Sequence, residues 1–163
     1  MLNRRALSLA AIAAFTTLLG GCATTATPVS VADTLANTPT LSTLSGLVVK
    51  AGLSDALKGA GPFTVFAPSN DAFAAVPAKT LEELGKDPAK LEAVLKFHVV
   101  GAQLLAADVK NGPAKSLQGA DLALSKAGSF VTVEEAVVLT ADIKASNGVV
   151  HIVDRVLLPP AKH

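Results

Sequence analysis

Tryptophan and tyrosine are missing from this chain altogether, and cysteine occurs once. The first absence excludes carbohydrate platforms built from stacked Trp or Tyr rings. It also removes two of the three residue types on which tight interfaces usually lean. The third, arginine, occurs at Arg4, Arg5 and Arg155 only. A single cysteine excludes a disulfide within the chain. No HExxH or paired-Cys pattern is present, so the familiar zinc spacings are absent and no metal or cofactor is implied. No G-x-S-x-G elbow marks a serine hydrolase. Gly59-Ala60-Gly61 lacks a following Lys-Ser/Thr and precedes a strand rather than a helix, so it is no phosphate loop. These absences argue against an enzyme. Charge of one sign is lacking too: 14 basic residues stand against 13 acidic ones. Arg4 and Arg5 belong to the N-terminal leader described below, which leaves the rest close to neutral. That balance argues against a nucleic-acid partner and against a polybasic membrane face.

Half of the 163 residues are hydrophobic, enough for one domain with its own core. Part of that fraction is a leader. Arg4-Arg5 precede an apolar run from Ala6 to Leu19, too short and too lightly hydrophobic for a good membrane span, and residues 1–21 read as a signal peptide. Leu19-Gly20-Gly21-Cys22 resembles the lipobox of bacterial lipoproteins. That resemblance implies a diacylglyceryl thioether on Cys22, cleavage before it and acylation of the new amine. It also gives the lone thiol a reason, and more than one acyl chain anchors a protein stably. Residues 22–30 read as a short lipidated tether. Ala23, in place of Asp after the lipidated Cys, resembles the sorting pattern for the outer membrane where a cell has two membranes. The expected location is the bacterial cell envelope, with the membrane as a partner through the lipid.

Helical signals come first. Val31–Asn37 reads as a short helix. Thr38-Pro39 opens another, with Leu41, Leu44 and Val48 on one face and Gly52 at its end. Ser54–Lys58 reads as a capped turn stopped by Gly59, and Thr80-Leu81-Glu82-Glu83 as a capping box. Asp87 and Pro88 start the best-defined helix, whose stripe is Leu91, Val94, Leu95 and His98. Gly101 closes it. From about Lys115 onward the alternation of strands takes over, with Val137-Val138-Leu139 read as a buried run. Gly128-Ser129, Glu134-Glu135 and Asn147-Gly148 read as turns, the last because both residues tolerate positive φ. The final strand is expected to run from Val149 to Leu158. Val149, Val153 and Leu157 lie on one side, Val150, Ile152, Val156 and Leu158 on the other, until Pro159-Pro160 stop it. Helices first and strands later give an α+β class.

Two stretches carry a family resemblance: Thr64-Val65-Phe66-Ala67-Pro68-Ser69-Asn70-Asp71-Ala72-Phe73 early, and Asn147-Gly148-Val149-Val150-His151-Ile152-Val153-Asp154-Arg155-Val156-Leu157-Leu158-Pro159 late. Together they resemble the paired motifs of the fasciclin domain. The resemblance implies a single domain over residues 31–160, a mostly antiparallel β-sandwich or wedge with a helical bundle packed against it, and a tail at 161–163. It implies a non-enzymatic, envelope-anchored module for cell-surface or matrix adhesion or protein binding.

Within the motifs, Phe66, Pro68, Asn70, Asp71, Phe73, His98, Asn147, Gly148, His151 and Asp154 are expected to be structural. His98 matches the His of the family's Tyr-His element, with Phe97 in place of the Tyr, so the integrin adhesion linked to that element in animal relatives is not carried over. On its apolar stripe, His98 is expected as a buried neutral imidazole bonded to backbone. His151 and Asp154, three apart on a strand, face opposite sides and do not form a chelating pair. Asp142-Ile143 resembles an Asp-Ile element that some fasciclin domains use in adhesion, and marks a candidate contact. A second functional reading is a carrier or sensor of a small apolar, lipid-like ligand in the periplasm, its pocket lined by Phe63, Phe66, Phe73 and Leu95. His163 sits on the tail.

Overall fold

A computed structural model describes residues 29–159. The expected leader, Cys22, most of the expected tether, Pro160 and the tail with His163 lie outside the described residues. The first helix, α1 (Val31–Asn37), starts where the Ser30 hydroxyl accepts the Asp33 amide at 3.2 Å. Val29 gives its carbonyl to the Ser146 amide at 2.8 Å. Val29 and Ser30 therefore belong to the folded domain, not to the tether that was expected to reach residue 30. A 3₁₀ turn (Pro39–Leu41) with proline in its first position feeds α2 (Ser42–Lys50), which buries Leu44 and Val48 and ends at Gly52, φ +69°. The next helix, α3 (Ser54–Lys58), forms where the turn was expected and stops at Gly59, but Leu53 is its N-cap and the expected side-chain cap is absent.

Ser69 caps α4 (Asn70–Ala74) by accepting the Ala72 amide. α5 (Ala78–Lys86) begins directly after Pro77, which puts Thr80 inside the first turn instead of at the cap. A proline pushes the residue before it out of helical geometry, so Pro77 fixes the start. α6 (Pro88–Phe97) opens as expected: the Asp87 carboxylate accepts the Ala89 and Lys90 amides. Its stripe of Leu91, Val94, Leu95 and His98 is buried.

The strands are β1 (Phe63–Pro68), β2 (Val99–Val100), β3 (Gly112–Lys115), β4 (Asp121–Ala127), β5 (Phe130–Val133), β6 (Ala136–Ala145) and β7 (Gly148–Val153). They form one seven-stranded sheet in the order β2-β1-β7-β6-β5-β4-β3. Only β1 and β7 run parallel; the other neighbours are antiparallel. Val100 bridges Ser116, and the Leu117 amide donates to the Val99 carbonyl at 2.7 Å, so the outermost strands meet and the sheet curls towards closure. The result is the expected α+β architecture: a mostly antiparallel, mixed sheet with helices packed on it.

Alternation along β1 and β7 divides the interior into two cores. Val65, Ala67 and Val150 join Leu35, Leu41, Leu44, Leu91 and Leu95 on the helical side, with Ile152 and Val156 packed against them. Phe66, Val153 and Leu157 join Phe97, Leu122, Val131 and Val133 inside the curl. A strand pair covered on both faces reads as a continuous apolar run.

Three local expectations are corrected. The last strand ends at Val153, not Leu158, because Asp154 turns aside: its carboxylate accepts the Val137 amide at 2.7 Å and its own amide donates to the Val137 carbonyl. Val137 and Val138 are half-buried and Leu139 is 61 % exposed, so no buried run forms there. Val138 still pairs with Val153 and Thr140 with Ile152, but the register shifts on either side of Thr140. Finally, the residues linking β6 to β7 are Ser146-Asn147, since Ala145 pairs with Gly148. Positive φ falls instead at Gly119, Gly128 and Glu134, in the β3–β4, β4–β5 and β5–β6 hairpins, and at Asp142 in the bulge.

Candidate functional site

Asn147 ties three elements together. Its amide oxygen accepts the Val31 amide of α1 at 2.8 Å, while its amide nitrogen donates to the Leu57 carbonyl at 2.7 Å and the Gly59 carbonyl at 2.8 Å. These are groups that helix ends leave without partners. The side chain thus caps the start of α1 and the end of α3 from the sheet. Its main-chain carbonyl accepts the Phe63 amide, which seats β1 on β7. Asn147→Ala removes three bonds and orphans their partners, so it is expected to cost about 2–4 kcal/mol. Urea unfolding measures this, and a loss below about 0.5 kcal/mol would sink the capping account. Asn147→Asp keeps the Val31 acceptor but sets a carboxylate against two carbonyls, so it is not expected to rescue.

Asn70 does the same for α2. That helix has no side-chain cap of its own. The Asn70 oxygen accepts the Thr43 amide at 3.1 Å, and its nitrogen donates to the Pro39 carbonyl at 3.0 Å. Asp71 beside it is exposed at the start of α4. Pro68 is buried at the end of β1; Phe73 lies in the helical core, Phe66 in the other.

The two buried histidines each join one carbonyl to one amide. His98 Nδ1 donates to the Val94 carbonyl at 2.8 Å, and its Nε2 accepts the Leu157 amide at 2.9 Å. A carbonyl only accepts and a backbone amide only donates, so the ring is the neutral Nδ1–H form. Burial pushes its pKa down to about 4, against a smaller opposing effect of the Val94 carbonyl. His151 takes the opposite tautomer. Its Nε2 donates to the Leu104 carbonyl at 2.7 Å and its Nδ1 accepts the Asp142 amide at 3.1 Å. Burial lowers its pKa too, opposed by the Leu104 carbonyl and the Asp142 charge. The ring stacks on Phe66, centroids 5.5 Å apart.

Around His151 the segment after β2 is pinned at several points. Thr64, fully buried, donates to the Ala102 carbonyl at 2.6 Å and accepts the Leu104 amide at 2.8 Å. The Asp142 carboxylate accepts the Ala106 amide at 2.8 Å. Asp142 is exposed, with φ +59°, at the β6 bulge; Ile143 is half-buried against the helical core. Thr64 was not singled out from sequence, because a strand threonine reads as ordinary β propensity; only its partners nearly 40 residues away reveal its work. His151 and Asp154 are not brought together at a common ligand, since each is bonded to a different neighbour. No group of three His, Cys, Asp or Glu among the described residues gathers to hold a metal.

A small apolar cavity of about 50 Å³ lies between the helices and β1–β2. Of the four residues expected to line a ligand pocket, only Leu95 faces it; Phe63, Phe66 and Phe73 do not.

Comparison with known proteins places these features. A family model described as the fasciclin domain matches residues 39–159. Protein sll1483 of Synechocystis is 45 % identical over 142 residues, covering 85 % of this chain and 78 % of that protein. The cell surface glycolipoprotein MPB83 of Mycobacterium bovis is 36 % identical over 137 residues, covering 81 % of this chain and 61 % of its own length. Among solved structures, a FAS1 domain pair from the insect cell adhesion molecule Fasciclin I superposes with a TM-score of 0.63 at 16 % identity. It covers 80 % of this chain and 51 % of that one, a likeness of fold.

Proposed function

The chain belongs to the fasciclin family, and from that premise we propose that it is a non-enzymatic adhesion or protein-binding module, held in a bacterial envelope by lipid on Cys22. One observation carries the non-enzymatic part. Both nitrogens of His98 and both of His151 are occupied by backbone partners, so the motif histidines cross-link the fold and have no nitrogen left for proton transfer. Asn70, Asn147 and Asp154 are committed to the backbone in the same way. The motifs build a scaffold, and binding is left to the surface. Asp142 and Ile143, at the bulge of β6, are the proposed contact there: the Asp142 amide is held by His151, and one carboxylate oxygen accepts the Ala106 amide.

The anchor is read from Leu19-Gly20-Gly21-Cys22, and kinship with the cell surface glycolipoprotein MPB83 supports it. With few of the side chains that make tight interfaces, each contact is weak, and many tethered copies on one cell gain by avidity. Two measurements test this reading. Cys22→Ser is expected to move the protein from membrane to soluble fraction and to abolish incorporation of labelled lipid. Continued membrane binding with label would overturn the anchor. Protease added to intact cells is expected to digest the domain; protection until lysis would place it in the periplasm and remove the adhesive role.

A further inference from the structure

The proposed contact at Asp142 and Ile143 uses neither the apolar cavity nor the grooves beside it. The cavity wall is apolar except for Lys96 and His98, and both ring nitrogens of His98 are already bonded. Apolar cavities stay dry and accept apolar guests once large enough, benzene entering at about 150 Å³. At about 50 Å³ this one is too small with Leu117 in its present place. Its cover is unusual, however. Leu117, in the β3–β4 hairpin, lines the cavity yet is 46 % exposed. The same side chain borders a groove of about 490 Å³ along the seam between β2 and β3, and another of about 330 Å³ beside α6. One leucine therefore stands between the apolar space and both grooves.

The hairpin tip that carries it is also under-satisfied. The side-chain oxygen of Gln118, the next residue, is buried without a hydrogen-bond partner. Outward movement of the tip would give that oxygen to water, which offsets the lost packing of Leu117. The opposite wall of the seam is fixed, because Thr64 and His151 hold residues Ala102 and Leu104. Lys115 is the only charged residue on the seam groove, and it takes part in no ion pair among the described residues. Lys96, at the cavity itself, is already paired with Glu92. Asp121 stands across the β3–β4 pair from Lys115 without forming an ion pair with it, and an apolar channel with that cation at its outer end suits a molecule with an anionic head and an alkyl tail.

We propose that the seam groove and the cavity behind Leu117 form a binding site for an anionic single-chain amphiphile, its carboxylate at Lys115 and its alkyl end in the cavity. The test is a titration of the full chain with decanoate, followed by methyl NMR, with decyltrimethylammonium as control. Saturable shifts are expected at Leu117, Val48 and Val99, with the cation binding at least about tenfold more weakly. Lys115→Glu is expected to weaken decanoate about five- to tenfold. Val48→Leu combined with Val65→Leu fills the cavity and is expected to reduce binding about tenfold without lowering the melting temperature. Should that double variant fail to fold, Lys115→Glu decides alone. Absence of shifts at the cavity methyls overturns the proposal. So do shifts confined to exposed Phe130 and Leu139 with equal affinity for both head groups, which would mark surface adsorption.

Discussion

Gly148→Ala is expected to destabilise the domain by roughly 4 kcal/mol or more, or to leave it unfolded, the range in which forced strain and broken pairing fall. Gly148 sits opposite Phe63 where β1 and β7 begin their parallel pairing. A Cβ on Gly148 would overlap the Phe63 carbonyl oxygen, well inside the 3.0 Å that such atoms keep. The obstacle is backbone, so no rotamer change relieves it. Relief requires the two central strands to separate at the point where Asn147 also binds α1 and α3. Gly61 faces the same crossing from the other side, and its added Cβ would meet the Asn147 carbonyl. Gly46→Ala is the control. It lies in α2 with nothing within 4 Å of the added methyl, so it is expected to stabilise by about 0.5–1 kcal/mol through helix propensity. Urea unfolding of the two variants separates the accounts. A Gly148→Ala protein as stable as the parent would show that the strands do not approach so closely.

Acidification is expected to remove about 3 kcal/mol of stability between pH 6.5 and pH 4 through His98 alone, from the difference of roughly 2.5 pKa units between its ordinary and folded values. The sign follows from which state takes up the proton. Above pH 6.5 the imidazole is neutral in both states and its contribution to stability is fully present. Below 6.5 the unfolded chain protonates while the folded ring does not, so stability falls until the pH reaches about 4. Geometry gives the reason beyond burial: a proton on Nε2 would point at the Leu157 amide, itself a donor. His151 acts in the same direction, its pKa also lowered by burial. Asp33, whose carboxylate is held below its ordinary 3.8 chiefly by the Ser30 hydroxyl, titrates beneath this window. Urea midpoints at steps from pH 7.5 to 4 measure the loss. In His98→Ala the stability is expected to be lower at pH 7 by about 1–3 kcal/mol, with a shallower pH dependence. An unchanged pH slope in that variant would remove His98 as its source.

Much of the chain's local structure was readable from order and period. Asp87-Pro88 announces α6 because a carboxylate cap and a pre-set φ are local effects. The stripe from Leu91 to His98 names the buried face for the same reason. Errors fell where the deciding partner is distant. The final run looks like a strand through Leu158, yet Asp154 finds the Val137 backbone and ends it at Val153. Val137-Val138-Leu139 looks buried, but on the folded sheet the two valines are half-buried and Leu139 is exposed. Asn147-Gly148 was placed correctly as a hairpin feature and explained wrongly. Neither residue takes positive φ; the asparagine is there for its amide, the glycine for the Phe63 carbonyl that passes beside it.

The sequence by itself determined the family, the α+β class and which residues are apolar enough to form the two cores, since periodicity and capping depend only on near neighbours. The tertiary structure alone decided what the motif residues do. Asn70 caps α2 across 27 residues, Asn147 reaches α1 across 116, and the ring nitrogens of His98 and His151 are satisfied by backbone 59 and 47 residues away on the far side of each ring. The cavity's true lining and the position of Leu117 over it were equally invisible in order of residues. Hydrogen bonds and voids are set by distances in space, and those exist only once the curled sheet has brought remote segments together.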